Sequence, residues 1–313
     1  MKLSICSVCS DDVKGENSRT LYAEYLNENL RMTRDEKMDF EWIVLSGKNP
    51  YQRPTHRPFR KVDLDPFFNK HEIDHKYSIQ GQRLVKGSSS DNYMKGHVGK
   101  VSVVHSAELN YAVKHIDPES KYVLLLDTDF YIVPPLHAVI NFMEEKGLAF
   151  FGASYSCAKL PTIRDFPVVF CMFINTEIVD VQSLDFTSGY GADSVRPDIY
   201  PDSGYKVYTK YKGSDVPYDI AYPTVLPDNP FLTRHPKFKY TRDTVLGKKK
   251  IDEYWFDDKI FAFHTRAKMN SGKMTIEAKV DKMSRQIDLV KKTMGSVRKS
   301  GLYSFREYEN DPR

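Results

Sequence analysis

Cysteine is scarce. Four thiols in 313 residues cannot staple a small scaffold, so disulfide-built folds are excluded. Long apolar runs are missing as well: the longest, at 122–126 and 168–174, fall far short of the ~20 residues that cross a bilayer. Charge of one sign is not in excess, since 46 Lys and Arg against 42 Asp and Glu leave +4 with histidine neutral, less than dedicated nucleic-acid binders carry. Repeats and low-complexity tracts are absent, and the disordered, collagen-like and coiled-coil classes drop out with them. The apolar stretch from Leu3 to Val8 stops at Asp11 and Asp12, too short and wrongly flanked for a secretory signal, and the expected location is cytoplasmic.

What is present suits a globular chain of about one to two domains, at roughly 150 residues each, with enough apolar residues to build a core around a cleft. Cys6 and Cys9 form a C-x-x-C without a second pair. Leu3 and Ile5 alternate as in a strand, where residues three apart face opposite sides, so the cysteines are read as small buried hydrophobes. Tyr and Phe are abundant, at 20 and 18 against 2 Trp, and offer flat faces to sugar rings or bases, although most such rings build core.

Along the chain, 2–9 reads as a strand, 20–31 as a helix and 40–45 as a buried strand, a β-α-β opening. Residues 47–92 are rich in Pro, Arg, Lys, His and Ser and are assigned to loops and short elements. A helical pattern over 96–115 ends at Asp117-Pro118. Then comes Tyr122-Val123-Leu124-Leu125-Leu126, a continuous apolar run of the kind covered on both faces in a largely parallel sheet. A helix at 136–146 and strands at 148–154 and 168–175 follow. Residues 188–230, dense in Tyr, Asp, Gly and Pro, read as a loop-rich lobe, and 276–294 as an amphipathic basic helix. The expected class is therefore α/β.

The apolar run ends in Asp127-Thr128-Asp129. Ligands of open α/β sheets bind outside the carboxyl ends of the strands. Two aspartates at i and i+2 of a turning backbone direct oxygens toward one divalent cation, and Mg²⁺ or Mn²⁺ prefers oxygen ligands while keeping positions for substrate phosphates. The chemistry that fits is transfer from a diphosphate donor, with the ion as Lewis acid beneath the departing diphosphate.

On this motif and its place after the buried strand, the chain resembles the nucleotide-sugar glycosyltransferases of GT-A fold, family-2-like in their D-x-D. The likeness covers roughly residues 2–176. It implies a Rossmann-like, mostly parallel central sheet flanked by helices, divided into a nucleotide-sugar-binding half (1–180), an acceptor-side lobe of the same domain (181–274) and a C-terminal helix and tail (275–313). It also implies a hexosyl- or pentosyltransferase using Mn²⁺ or Mg²⁺, a nucleotide-diphosphate sugar and a hydroxyl acceptor on a glycan or a modified DNA base. By the same resemblance the corner from Ser7 to Asp12 cradles the nucleotide, with Asp11 or Asp12 near base or ribose. The helix carrying His105, Ser106 and Asn110 lines the donor pocket, Asp127 and Asp129 hold the metal, and His264, closing Phe261-Ala262-Phe263, is a third metal ligand. Arg266 or Lys268 then meets the diphosphate through charge-assisted hydrogen bonds.

An inverting transfer needs a carboxylate base for the acceptor hydroxyl. Asp193, Asp198 and Asp202 are the candidates, and Asp202 is preferred because Asp202-Ser203-Gly204 reads as a turn feeding an element from the cleft. Two rivals compete. His71-Glu72-Ile73-Asp74-His75 is H-E-x-x-H, the zinc-peptidase spacing, but Lys70, Asp74 and Lys76 give it a charged, solvated setting. Lys248-Lys249-Lys250 and the basic tail suggest a non-catalytic binder of nucleic acid or an anionic surface.

Overall fold

The computed structural model describes residues 2–9, 25–26, 28–30, 38–46, 59–63, 105–106, 108–156, 163–189, 202–223, 251–265 and 276–309. The opening strand β1 (Lys2–Cys9) lies parallel between β2 (Asp39–Ser46) and β4 (Tyr122–Leu126), and β3 (Phe59–Asp63) lies parallel on the outer side of β2. The β-α-β opening follows, with residues 25–26 and 28–30 helical and Tyr25, Leu26 and Leu30 buried. After β4 come β5 (Phe130–Ile132), helix α1 (Leu136–Lys146) and β6 (Phe150–Ala153). A small separate pair, β7 (Tyr155–Ser156) and β8 (Ile163–Arg164), precedes β9 (Cys171–Asn175).

Within residues 188–230, read as a loop-rich lobe, the chain forms α2 (Tyr205–Tyr211) and β10 (Tyr218–Pro223), and β11 (Asp252–Phe256) and β12 (Lys259–His264) follow in the same sheet as β10. The sheet runs β3-β2-β1-β4-β9-β6-β10-β11-β12-β5. Its pairings set β1, β2, β3, β4, β6, β10 and β12 in one direction and β9, β11 and β5 in the other, a mostly one-directional α/β sheet.

Alternation along the strands separates two cores. Tyr122, Leu124 and Leu126 of β4 face one core with α1 and the C-terminal helix α3 (Ile276–Ser300), while Val123 and Leu125 face the other with Leu109, Ala112 and Val113. That division explains the unbroken apolar run, because a strand with a core on each side has no solvent face for polar residues. Cys6 and Cys171 are buried thiols within these cores, as small hydrophobes are. Helix α1 stops at Gly147, whose φ of 61° is the left-handed cap that glycine adopts without a Cβ penalty. Helix α3 buries Met283, Ile287, Val290, Met294 and Val297, spaced by four and three in turn as one helical stripe requires.

Between β11 and β12 the chain reverses through Asp257 and Asp258, both at positive φ (45° and 62°). Two left-handed residues in a two-residue loop match the twist of the flanking strands, and aspartate tolerates that region better than most side chains. This hairpin returns β12 across the sheet so that its last residue, His264, pairs with Phe130 at the start of β5. The fold thereby brings a segment more than a hundred residues distant to the D-T-D turn.

Candidate metal and donor site

The D-T-D segment is a tight turn. The Phe130 amide donates to the Asp127 carbonyl (3.1 Å), and the Asp127 amide donates to Phe170 (3.0 Å), so the backbone is fixed on both sides of the two carboxylates. Register does the rest. Because His264 lies opposite Phe130, its ring comes beside Asp129, the residue just before, and Nε2 sits 3.3 Å from Asp129 Oδ1. Thr265 locks the arrangement through its amide and hydroxyl, which donate to the Asp129 carbonyl at 3.0 and 3.3 Å. The imidazole packs against Phe130 and Phe170, with ring centroids 5.4 and 5.0 Å away.

Asp127, Asp129 and His264 each offer a ligand atom, and these atoms all lie within 4.8 Å of one another. Around a hard ion with bonds of ~2.1 Å, opposite ligand atoms sit about 4 Å apart, so atoms within 4.8 Å of one another need to draw in by at most some tenths of an ångström to share one ion. His264 Nδ1, the ring nitrogen away from Asp129, is buried and has no hydrogen-bond partner among the described residues. Two carboxylates and one imidazole form a mixed oxygen and nitrogen donor set that suits a divalent cation. Cys171 is no competitor for the ion, because burial pushes its thiol well up, with the charge of Asp127 adding to the rise.

Access differs between the carboxylates. The Asp129 side chain is 12% exposed and that of Asp127 is 32%, so Asp127 is on the solvent side of the pair. His105 stands on that side, with Nε2 3.5 Å from Asp127 Oδ1 and Nδ1 3.0 Å from the Ser203 hydroxyl. Burial pushes the His105 imidazole down, but the hydrogen bond and charge of Asp127, helped by Glu108 and Asp202, outweigh it and hold the ring above the ordinary histidine value. Asp202 therefore lies within electrostatic reach of the site, and its Oδ1 accepts from the Ser203 amide at 2.8 Å.

The remaining candidates divide by what their polar atoms touch. Ser7 is fully buried in β1, and its hydroxyl accepts from the Trp42 indole at 3.0 Å. Asn110 uses its side-chain oxygen to accept from the Phe186 amide (2.8 Å), anchoring the segment that leads toward α2. Ser106 is buried. Asp11, Asp12, Asp193, Asp198, Arg266 and Lys268 lie outside the described residues, as do the H-E-x-x-H at 71–75 and Lys248-Lys249-Lys250.

Sequence reasoning missed Ser203, Thr265 and Phe170. The first two sit one position from residues already singled out, which was the available signal. Phe170 carries none, since its approach to His264 depends on how the chain bends into β9.

No family model matches the chain, and no curated protein matches its sequence. Among solved structures it is similar to galactosyltransferase LgtC in complex with donor and acceptor sugar analogs, at 13% identity and a TM-score of 0.40, over 69% of this chain and 72% of that one. Mouse xyloside xylosyltransferase 1 is similar at 10% identity and 0.35, over 56% and 68%. A 4-diphosphocytidyl-2C-methyl-D-erythritol synthase from Anaerococcus prevotii is similar at 10% identity and 0.33, over 70% and 86%. These scores are low, and none of them transfers a function to this chain.

Proposed function

We propose that the chain is a metal-dependent glycosyltransferase that moves a sugar from a nucleotide-diphosphate donor to a hydroxyl acceptor. The observation that carries this reading is the meeting of Asp127, Asp129 and His264 at the carboxyl end of β4, where a sheet of this class binds ligands. Asp127, Asp129 and His264 would hold Mn²⁺ or Mg²⁺, which supplies Lewis acidity to the departing diphosphate. Asp129 and His264, the more buried pair, fix the position, and Asp127 orients the open side.

In the transfer, the acceptor oxygen forms a bond to the sugar's anomeric carbon as the bond from that carbon to the diphosphate breaks, and the electron pair leaves with the diphosphate. For inversion of configuration the acceptor's proton passes to a carboxylate, which we assign to Asp202, with Asp193 second. The corner holding Asp11 and Asp12 takes the nucleotide, and Arg266 and Lys268 neutralise the diphosphate. A glycan hydroxyl is the acceptor class we favour, with a hydroxyl on a modified nucleic-acid base as the second. Asp129→Ala tests the assignment. Turnover of a sugar nucleotide with Mn²⁺ present is expected to fall by about 10²–10⁴-fold, the several kcal/mol that a Lewis acid supplies, while circular dichroism stays native. Undiminished turnover in the variant would remove the reading.

A further inference from the structure

Asp127 and Asp129 are held differently. Asp129 is fixed by the β5–β12 pairing, by Thr265 on its carbonyl and by His264 on its side chain. Among the described residues, Asp127 has no such frame for its carboxylate. Among the described residues its ion-pairing partner is His105, which arrives from a helical segment of which residues 105–106 and 108–112 are described. The opposite ring nitrogen of His105 meets Ser203, so one imidazole joins a carboxylate at the end of β4 to the turn that carries Asp202.

That bridge does not hold the two segments together by itself. Asn110, five residues along the same helix, accepts from the Phe186 amide, and the Phe186 carbonyl accepts from Gly204 at 2.7 Å. Leu109, Ala112 and Val113 bury the helix in the core. The helix and the 202–204 turn would therefore stay in place without the imidazole. Since both ring nitrogens are engaged, at 3.5 and 3.0 Å, the ring has no third partner to offer a ligand while the two contacts persist.

We propose that His105 is a positioning residue rather than a donor-binding one: through Nε2 it fixes the Asp127 carboxylate for the cation, and through Nδ1 it ties that carboxylate to the Ser203 turn. The proposal rests on the metal reading given above. Carboxylates that hold a metal need hydrogen-bonding partners to aim their oxygens, and losing such a partner typically costs about 10–100-fold in metal affinity. Asp127, the more exposed carboxylate, is where such a loss should be felt.

The test is a titration of the 313-residue chain with Mn²⁺ alone, following free Mn²⁺ by electron paramagnetic resonance. Wild type, Asp129→Asn, His105→Ala, His105→Gln and His105→Asn are compared, with melting temperatures as the control for folding. Wild type is expected to bind Mn²⁺ and Asp129→Asn to lose it. His105→Ala should weaken binding about 10–100-fold with its fold intact. The glutamine amide reaches roughly where Nε2 lies and the asparagine amide only to where Nδ1 lies. His105→Gln should therefore recover most of the affinity and His105→Asn should not, a split that general loosening of the structure would not produce. Wild-type affinity in both His105→Ala and His105→Asn, or equal weakening in Gln and Asn, overturns the positioning role alone. A wild-type protein that binds no Mn²⁺ removes the metal reading and this role with it.

Discussion

At the scale of single residues, the site is decided by a few side chains whose freedom the backbone removes. His264 illustrates it: a histidine ending an apolar strand reads equally as an edge residue or a ligand until register places it beside Asp129. The D-T-D was legible because two charges between Leu126 and Phe130 need a reason to be there. The partner of Asp127 was legible only as a helix position, because the 3.0 Å contact between His105 and Ser203 joins segments 98 residues apart and leaves no local pattern. Gly152 is a different kind of constraint. It pairs with Met172 between β6 and β9, where an added Cβ would stand 2.1 Å from the Cys171 carbonyl oxygen. Relief requires the strands to separate, next to the turn that holds Asp127. Gly152→Ala is expected to destabilise the protein at or above the upper end of the ~1–3 kcal/mol typical of overpacking, as read by urea unfolding. An unchanged midpoint would mean that β6 and β9 are not so closely apposed.

At the scale of elements, segments with a strong period were readable and segments defined by their partners were not. The run Tyr122–Leu126, helix α1 and the tail helix carry their own patterns, and each forms as expected, α3 extending to Ser300. Strand β10 shows the opposite case. Tyr-Asp-Ile-Ala-Tyr-Pro has only a short apolar stretch and ends in proline, a weak strand signal, yet it lies between β6 and β11. Packing on both sides overrides local preference there. Helix α3 packs on the face of the sheet that carries Leu124 and Leu126, and Met294 lies at its centre, fully shielded, with the Tyr25 hydroxyl donating to its sulfur at 3.5 Å. Met294→Ala is expected to cost about 2–5 kcal/mol, whereas Lys292→Ala, on the exposed side, should stay within about 0.5 kcal/mol of wild type. Chemical denaturation of the two variants checks this, and equal effects would contradict the packing of that stripe.

At the scale of the whole molecule, one continuous sheet joins both parts of the sequence. The first part supplies the strand that ends in Asp127, and the later part supplies β12 with His264, so the three candidate ligands exist together only in the folded chain. Among the described residues no helix is long and apolar enough to cross a membrane. A site assembled only by folding couples ligand binding to stability, because an ion and donor that bind the native state raise its melting temperature by mass action. The most direct measurement is therefore a thermal-shift screen of UDP-, GDP-, CDP- and ADP-sugars with and without Mn²⁺, on wild type and Asp129→Asn side by side. At least one sugar nucleotide should raise the wild-type melting temperature only when Mn²⁺ is present, and Asp129→Asn should lose that rise. The same Mn²⁺-dependent rise in both proteins, or none in wild type with any donor, would contradict a cation held at this turn for a nucleotide sugar.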